Sequence, residues 1–288
     1  LPMMNVGKTE NKGYEVQLKW NDKIGDEFRY WANFNISFAR NKIVYKNEVK
    51  QNEDWMYETG RTIGSRSIYK FWGFYDETAD ARYLAEFGVP IADHGLTLKP
   101  GDAVFVDLNK DGVIDGDDSS RDLSFTDTPE YTAGLNIGFS WKGWDFSAQF
   151  TGAWNVDRLL SEFRQPLGNT QNKGLLLYQY ENTWRSSEDT YTAKFPRISK
   201  LAAANNYRGS DLYLCNASYL RLKSLEVGYN FSLPFMKKLK MDQCRLYVSA
   251  YNLFTITSFM WGDPESRQSD RPNYPLTRVV NLGLKVGF

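Results

Sequence analysis

The sequence is poor in the side chains that most often carry metal or covalent chemistry. Its 288 residues include one histidine, His94, and two cysteines, Cys215 and Cys244. So few residues leave little for zinc sites, histidine-based catalysis or a disulfide framework. His94 lies in the turn-like stretch Pro-Ile-Ala-Asp-His-Gly, where we expect an exposed rather than a catalytic side chain. The cysteines fall at opposite ends of neighbouring predicted strands, too far apart to form a disulfide.

Net charge and long apolar runs are also missing. Lys and Arg together number 35, as do Asp and Glu, so nothing in the charge balance indicates a nucleic acid partner. The absence of any run of 18 apolar residues excludes a transmembrane helix. The opening Leu1-Pro2-Met3 is not followed by the regions of a signal peptide, so we expect a processed chain or a piece of a longer one. Acidic residues are abundant, but none is singled out as one of the carboxylate pair that a glycosidase needs, so no enzyme is predicted.

Alternation of apolar and polar residues is the strongest signal in the sequence. Five segments alternate strictly and two do so less regularly, and aromatic residues make up 16% of the chain. In 217–231 the alternation slips by one residue near Lys223-Ser224, which a β-bulge would explain. The strict segments are 14–20, 28–38, 131–141, 144–154 and 280–288, and the other two are 217–231 and 243–254. The period of two predicts strands with two different faces.

A transmembrane β-barrel and a soluble β-sandwich both contain such strands, and three features favour the barrel. The segments are about ten to twelve residues long, whereas sandwich strands have about five or six. Ten residues tilted by about 40° cover about 25 Å, the height of an outer-membrane apolar band. Aromatic residues lie at both segment ends, as in the two girdles of a barrel. The residues of the polar face have small side chains, which suits an aqueous lumen. Together these features predict an all-β fold with its apolar side facing lipid.

The connections between these segments alternate in length. The short ones are Asn21–Asp26, Lys142-Gly143 and about 232–240, and the long ones are 39–130, 155–216 and 257–276. Membrane barrels have short periplasmic turns and long extracellular loops, so we assign the long connections to the outside. The chain then crosses the membrane seven times and ends on the periplasmic side at Phe288. Seven antiparallel strands cannot close in the usual bacterial manner, so we expect the remaining strands upstream.

A calcium-binding loop is predicted in the first long connection, at residues 107–118. Gly112 provides the bend at position 6, and hard oxygen donors follow the spacing that wraps a cation. The predicted ligands are Asp107, Asn109, Asp111, Val113 through its carbonyl, Asp115 and Asp118. The preceding Ala103-Val104-Phe105-Val106 indicates a strand, so the loop lacks an EF-hand helix pair. We expect a structural ion that rigidifies an extracellular loop, and a metal-free acidic turn is the alternative.

The long connections also contain many large aromatic residues. They could stack on sugar rings or contact a partner protein, or they could fill small cores within the loops themselves. The candidate contact residues are Trp55, Tyr57, Trp72, Tyr75, Trp184 and Trp261, with Tyr178 and Tyr180 as further aromatics of the same kind.

Several stretches resemble the SusC-like TonB-dependent transporters, in the order expected for the C-terminal part of their barrel. Each is weakly specific alone, and together they are distinctive. They are Asn11–Glu15, Asp22–Asp26, Phe105–Asp107 leading into the acidic loop, Tyr219–Tyr229, Arg245–Thr255 and a terminal strand ending in Phe288.

The resemblance implies the C-terminal segment of a large antiparallel transmembrane β-barrel in the outer membrane, with about seven of 22 strands in this chain. It also implies an N-terminal plug that contacts TonB, a SusD-like surface lipoprotein, and import of oligosaccharides or, less often, peptides. Phe288 resembles the terminal signal for barrel assembly, and a dimer of transporter–lipoprotein pairs is left open. The rival interpretations are a passive porin and a secreted, calcium-stabilised, glycan-binding β-sandwich.

Overall fold

The computed structural model describes residues 7–160, 174–232, 234, 240–266 and 276–288. The strands are β1 (Gly7–Ile24), β2 (Phe28–Lys46), β3 (Ile68–Tyr69), β4 (Phe71–Phe74), β5 (Ala103–Phe105), β6 (Ser119–Ser120), β7 (Tyr131–Trp141), β8 (Trp144–Trp154), β9 (Asp157–Leu159), β10 (Leu214–Asn216), β11 (Tyr219–Asn230), β12 (Gln243–Thr257) and β13 (Val279–Gly287). The helices are α1 (Ala79–Phe87), α2 (Leu177–Glu181) and α3 (Ala203–Asn206). No helix in these ranges is long and apolar enough to cross a membrane.

The seven long strands form one antiparallel sheet in the order β1-β2-β7-β8-β11-β12-β13. Each strand pairs with the next long strand along the chain, so the sheet is a simple meander. The short strands form three two-stranded sheets, which lie with the helices in the connections 47–130 and 155–218. We call the described residues of these connections, together with 258–266 and 276–278, the loop layer.

The central hairpin follows its predicted boundaries residue for residue. β7 and β8 cover 131–141 and 144–154, joined by Lys142 and Gly143 with φ of 47° and 87°. Positive φ at both central residues is the geometry of a two-residue type I′ hairpin turn, whose twist matches that of the flanking strands. The predicted bulge is also confirmed, because the register of β11 shifts between Leu222 and Ser224. The predicted turn at 232–240 lies mostly outside the described residues.

β1 and β2 are longer than the alternation predicts. β2 continues to Lys46, so the first long connection begins at 47 rather than at 39. Beyond the aromatic pair Tyr14–Phe38, the opposed residues include Lys12 with Arg40. Backbone pairing does not require an apolar face, so the hairpin extends past the point where the apolar pattern ends.

Strand register aligns the apolar residues of all seven strands on one face. Directly opposed residues in an antiparallel pair point to the same side of a sheet. One row crosses six strands as Leu18, Phe34, Leu135, Phe150, Leu222 and Phe254. Another row crosses all seven as Ile24, Phe28, Trp141, Trp144, Tyr229, Leu246 and Leu284. The bulge of β11 restores this alignment, because Leu222 and Leu225 both reach the apolar face although they differ in parity.

The described buried clusters belong to the loop layer and not to the apolar face of the sheet. The first cluster contains Phe195, Tyr207 and Tyr213, the second contains Phe105 and Ile114, and the third is Val156, Ala217 and Phe259. No second large sheet covers the apolar face within the ranges given above. The stacked sheets that a β-sandwich requires are therefore not what this part of the chain forms.

Candidate functional site

The outward face of the sheet is an exposed apolar belt. Leu18, Leu282 and Leu284 leave 62%, 74% and 63% of their surface exposed, far from what a packed core would leave. Aromatic rings border the belt at both ends of the strands. At the end with the long connections these are Tyr14, Phe38, Tyr131 and Trp154, which we call the outer girdle, and at the opposite end they are Phe28, Trp141 and Trp144. Trp20 lies opposite Ala32, inside β1 rather than at its end. Rings of the outer girdle contact each other, with centroids 5.5 Å apart for Tyr14–Phe38 and 4.7 Å for Phe38–Tyr131. Amphipathic rings in two bands are typical of the two lipid–water boundaries of a barrel.

The inward face is polar and shaped by glycine. Asn33, Asn136 and Gln149 oppose one another across three strands. A methyl group added at Gly138 would overlap the Trp31 ring from the adjacent strand. The absence of a side chain at Gly138 therefore lets the large Trp31 ring lie over the neighbouring strand.

An ion-pair cluster lies on the inward face near the short turns. The guanidinium of Arg245 donates from Nε to Asp145 Oδ2 at 2.9 Å and from Nη2 to Glu226 Oε1 at 2.7 Å. Gly228 lies beneath this guanidinium, where any side chain would collide with it. Sequence reasoning missed the cluster, although all three charged residues fall on the polar side of their alternating segments.

A second cluster anchors the last long connection to the wall. Arg221 is buried and donates to Thr255 Oγ1 at 2.9 Å, to Glu265 at 2.6 Å and to Asp263 at 2.5 Å. Because Arg221 and Thr255 are opposed residues of β11 and β12, the cluster fixes the segment around 263–265 over the inward mouth of these strands.

The acidic loop is closed by its own hydrogen bonds. Asp107 accepts from the backbone N–H of Lys110 at 2.6 Å and of Gly112 at 2.9 Å. Asp118 accepts from the backbone N–H of Leu108 at 2.7 Å and of Asp115 at 3.0 Å. Both carboxylates are buried, and burial, with the nearby charge of Asp107, raises the pKa of Asp118.

The remaining predicted calcium ligands also face the loop backbone. Asn109 accepts from the N–H of Asp111 at 3.1 Å, Asp111 from that of Val113 at 2.9 Å, and Asp115 from that of Asp117 at 2.8 Å. No group of three or more His, Cys, Asp or Glu side chains in the described ranges is arranged to hold a metal ion. The donors match calcium in kind, since they are hard oxygens, and two of them are buried carboxylates.

His94 is buried, so the expectation of an exposed side chain is wrong. Its Nδ1 lies 2.8 Å from the carbonyl oxygen of Ala92, and its Nε2 accepts from the backbone N–H of Phe105 at 2.9 Å. The turn that carries it pairs with the acidic loop, because Asp93 N–H donates to the Gly112 carbonyl and Ile114 N–H to that of Asp93, both at 2.8 Å. The turn-forming residues around His94 indicated a position at the surface. The acidic loop packs over this turn and buries the side chain.

The candidate aromatic residues are held by local partners in separate parts of the loop layer. Trp184 is buried, with its Nε1 3.3 Å from Thr190 Oγ1, and Trp261 packs edge-on against Tyr178 and Phe195. The other four are half-buried and hydrogen-bonded. Trp55 donates to the carbonyl of Asp117, Trp72 to the carboxylate of Glu86 and Tyr75 to that of Asp80. The hydroxyl of Tyr57 accepts from the backbone N–H of Gln51. Core positions suit Trp184 and Trp261, and a role of any of the six in ligand contact stays a prediction. Both cysteines are free, and burial raises the pKa of Cys215 to about 11.

Comparison with known proteins gives relatives of one kind. No protein-family model matches the chain. The TonB-dependent receptor P3 of Formosa agariphila is 26% identical over 314 residues, covering 99% of this chain and 29% of the relative. The TonB-dependent receptor SusC of Bacteroides thetaiotaomicron is 26% identical over 288 residues, covering 99% of this chain and 27% of the relative. The chain thus spans under a third of these relatives.

Solved structures agree with the sequence relatives. The RagAB peptide transporter superposes with a TM-score of 0.71 at 21% identity, covering 99% of this chain and 30% of the other. The RagAB peptide importer in its 'closed-closed' state gives 0.70 at 22% identity, with the same coverage. The predicted resemblance to SusC-like TonB-dependent transporters is confirmed, as are the fold as a segment of a larger barrel and the location in the outer membrane. These relatives are receptors and transporters rather than enzymes.

Proposed function

We propose that this chain is the C-terminal part of the barrel wall of a TonB-dependent importer, which takes up an oligosaccharide or a peptide with a SusD-like lipoprotein. The observation that carries the proposal is the register of the seven strands, which gives a continuous apolar belt outside and a polar surface inside. A surface of this kind is stable between lipid and an aqueous lumen. The similarity to TonB-dependent receptors over 99% of the chain supports active rather than passive transport.

The proposed mechanism is binding and gating, without covalent chemistry. Ligand is held between the long connections and the lipoprotein, and energy arrives from TonB through a plug formed by other residues. In this cycle the chain supplies wall and loops. The ion pairs of Arg221 with Asp263 and Glu265 keep one loop segment in place at the mouth.

Growth of a deletion strain tests the proposal. We expect a strain lacking the full-length gene to lose growth on one class of solute, oligosaccharides or peptides, supplied as the sole carbon source. The intact gene should restore growth only while TonB is present. Growth that persists after depletion of TonB would favour the passive porin, and a product that stays in solution without detergent would favour the secreted β-sandwich.

Calcium in the acidic loop is a second part of the proposal. The ligand spacing supports it, as do the two buried carboxylates Asp107 and Asp118, whose like charges a divalent cation would offset. An ion at one hundred times its Kd stabilises the form that binds it by about 2.7 kcal/mol.

Chelation with EGTA measures this contribution in the full-length protein. We expect purified protein to contain calcium, and EGTA to lower the thermal midpoint and speed proteolysis of the first long connection. Asp118→Asn should abolish the response to EGTA, whereas Glu77→Gln, at an exposed carboxylate of the same connection, should retain it. Protein free of calcium and indifferent to EGTA would show that the loop is a metal-free turn.

A further inference from the structure

A charged cleft opens beside β2 just beyond the outer girdle. Its volume is about 340 Å³, and its walls are the end of β2 and segments 60–65 and 121–130. Its charged lining residues are Arg40, Lys42, Arg61, Arg121, Asp122 and Glu130. Neither the proposed import nor the acidic loop uses these residues.

The cations from β2 lie on the same face as the apolar belt. Arg40 follows Phe38 by two residues, and its guanidinium carbon is 5.7 Å from the centroid of the Phe38 ring. Lys42 follows by two more and has an exposed side chain. Alternation along a strand therefore directs both residues outward, toward the surroundings of the barrel and away from its lumen.

The height of these cations matches the headgroup layer of a membrane. Two residues of a tilted strand rise about 5 Å, so Arg40 lies about 5 Å and Lys42 about 10 Å above the ring of Phe38. The polar layer on each side of a bilayer is about 5–8 Å deep beyond the hydrocarbon. Arg40 is therefore at the depth of lipid phosphates, and the long side chain of Lys42 can reach down to them from just above.

The cleft retains positive charge after its internal ion pairs are formed. Arg40 pairs with Glu130 through two bonds of 2.5 and 2.6 Å, and Arg61 pairs with Asp122 through two of 2.7 Å. Lys42 has no ion pair within the described part of the chain. Arg121 lies 3.6 Å from Glu58, just outside the lining, so the cation that is left without an ion pair in the described ranges is Lys42.

The guanidinium of Arg121 is fixed in the wall of the cleft. It donates to the carbonyl oxygens of Met56 at 3.0 Å and Ser65 at 2.7 Å, and it lies 3.6 Å from Glu58. An oxyanion in the cleft would meet this guanidinium and the unpaired charge of Lys42.

We propose that this cleft binds the phosphate group of an outer-leaflet lipid. The inference rests on the proposed function, because it requires the apolar belt to face lipid and the long connections to lie outside. Basic pockets at the edge of the apolar band are a general means of binding anionic headgroups. The occupant is then a fixed part of the lipid boundary and not the imported ligand.

Lipid retention by the full-length, detergent-solubilised protein tests this proposal. The probes are phosphorylated lipid A, the same lipid without phosphate, and inorganic phosphate, with bound lipid counted by native mass spectrometry. We expect tighter binding of the phosphorylated form, reduced about fivefold by Lys42→Gln, since each basic residue at a membrane surface contributes about a factor of five. Lys19→Gln is the matched control, because Lys19 lies on the inward face of β1 and should not change binding.

Three results would overturn the lipid site. They are equal binding of both lipids, equal loss of binding in Lys19→Gln, and a site that free phosphate fills as readily as phosphorylated lipid A. Loss of lipoprotein copurification in Lys42→Gln with unchanged lipid binding would show a protein contact instead. A barrel that needs detergent but fails these tests refutes only the lipid site, whereas protein soluble without detergent refutes the proposed function.

Discussion

At the scale of single residues, His94 shows how the loop layer depends on one neutral side chain. It is buried, and its Nε2 accepts a hydrogen bond from the backbone of β5. Burial lowers its pKa below the ordinary 6.5, and Arg208 lowers it further, while Asp93 and Asp102 act in the opposite direction. A proton on Nε2 would place two donors against each other at Phe105.

The pH dependence of the loop layer follows from this lowered pKa. Below about pH 6.5 the unfolded loop binds a proton that the folded loop excludes, so the stability contributed by His94 is complete above pH 7 and falls as the pH drops through 6.5. We expect hydrogen exchange of peptides from 92–118, corrected for intrinsic rates, to speed up below pH 6.5. His94→Leu should exchange faster at pH 8 but lose this part of the pH response. An identical pH response in both proteins would show that other groups cause it.

At the scale of the strand, each long element has two faces with different surroundings. In the middle of β7, Leu135 points outward beside Phe34 and Phe150, and Asn136 points inward beside Asn33 and Gln149. The two positions are adjacent in the strand and lie at nearly the same depth, so their main difference is what their side chains meet.

A charge at these two positions should therefore have unequal effects. Leu135→Arg should destabilise the full-length barrel by about 2–4 kcal/mol, since it places a cation near the middle of the apolar band. Asn136→Arg, in contact with the aqueous lumen, should cost less than about 1 kcal/mol, as substitutions of exposed residues usually do. Urea titration in detergent or lipid gives both free energies of unfolding. Unfolding is detected as loss of the gel-mobility shift that distinguishes the folded barrel from boiled protein. Equal costs at 135 and 136 would contradict the assignment of faces.

At the scale of the whole molecule, the wall and the loop layer are joined by side chains distant in sequence. Arg221 connects β11 to Asp263 and Glu265 in the last connection. Within the loop layer, Arg66 of the first connection donates to the carbonyl of Asp157 in the second, at 3.1 Å. The sheet thus orients a loop segment that is distant in sequence from the strand that holds it.

The terminal residue gives a prediction for assembly of the whole barrel. Phe288 is 83% exposed and follows β13, whose outward residues are Val280, Leu282, Leu284 and Val286. We expect deletion of Phe288 to reduce the amount of full-length protein in the outer membrane, because a terminal aromatic on an alternating strand is the predicted assembly signal. Quantitative immunoblots of membrane fractions measure this, with Phe288→Tyr as a control that should assemble normally. Wild-type levels of the truncated protein would refute the signal.

The sequence alone located the seven strands of the wall. Segments 131–141 and 144–154, the turn between them and the bulge near Lys223 were all predicted, because alternation, turn geometry and a slip in phase are local properties of the chain. Every strand also meets the same two environments, so a one-dimensional pattern records the side on which each residue lies. The extension of β2 to Lys46 was missed, since hydrogen-bonded pairing beyond the lipid leaves no apolar pattern.

Only the tertiary structure decided which distant residues meet. Arg245 and Asp145 are 100 positions apart and pair because their strands lie on either side of β11. The burial of His94 and Trp184 and the cleft beside Arg40 likewise depend on segments that pack together from separate connections. Alternation fixes the face on which a side chain lies, but register and loop packing fix its neighbours, and these arise from the free energy of the assembled fold rather than from any local window of sequence.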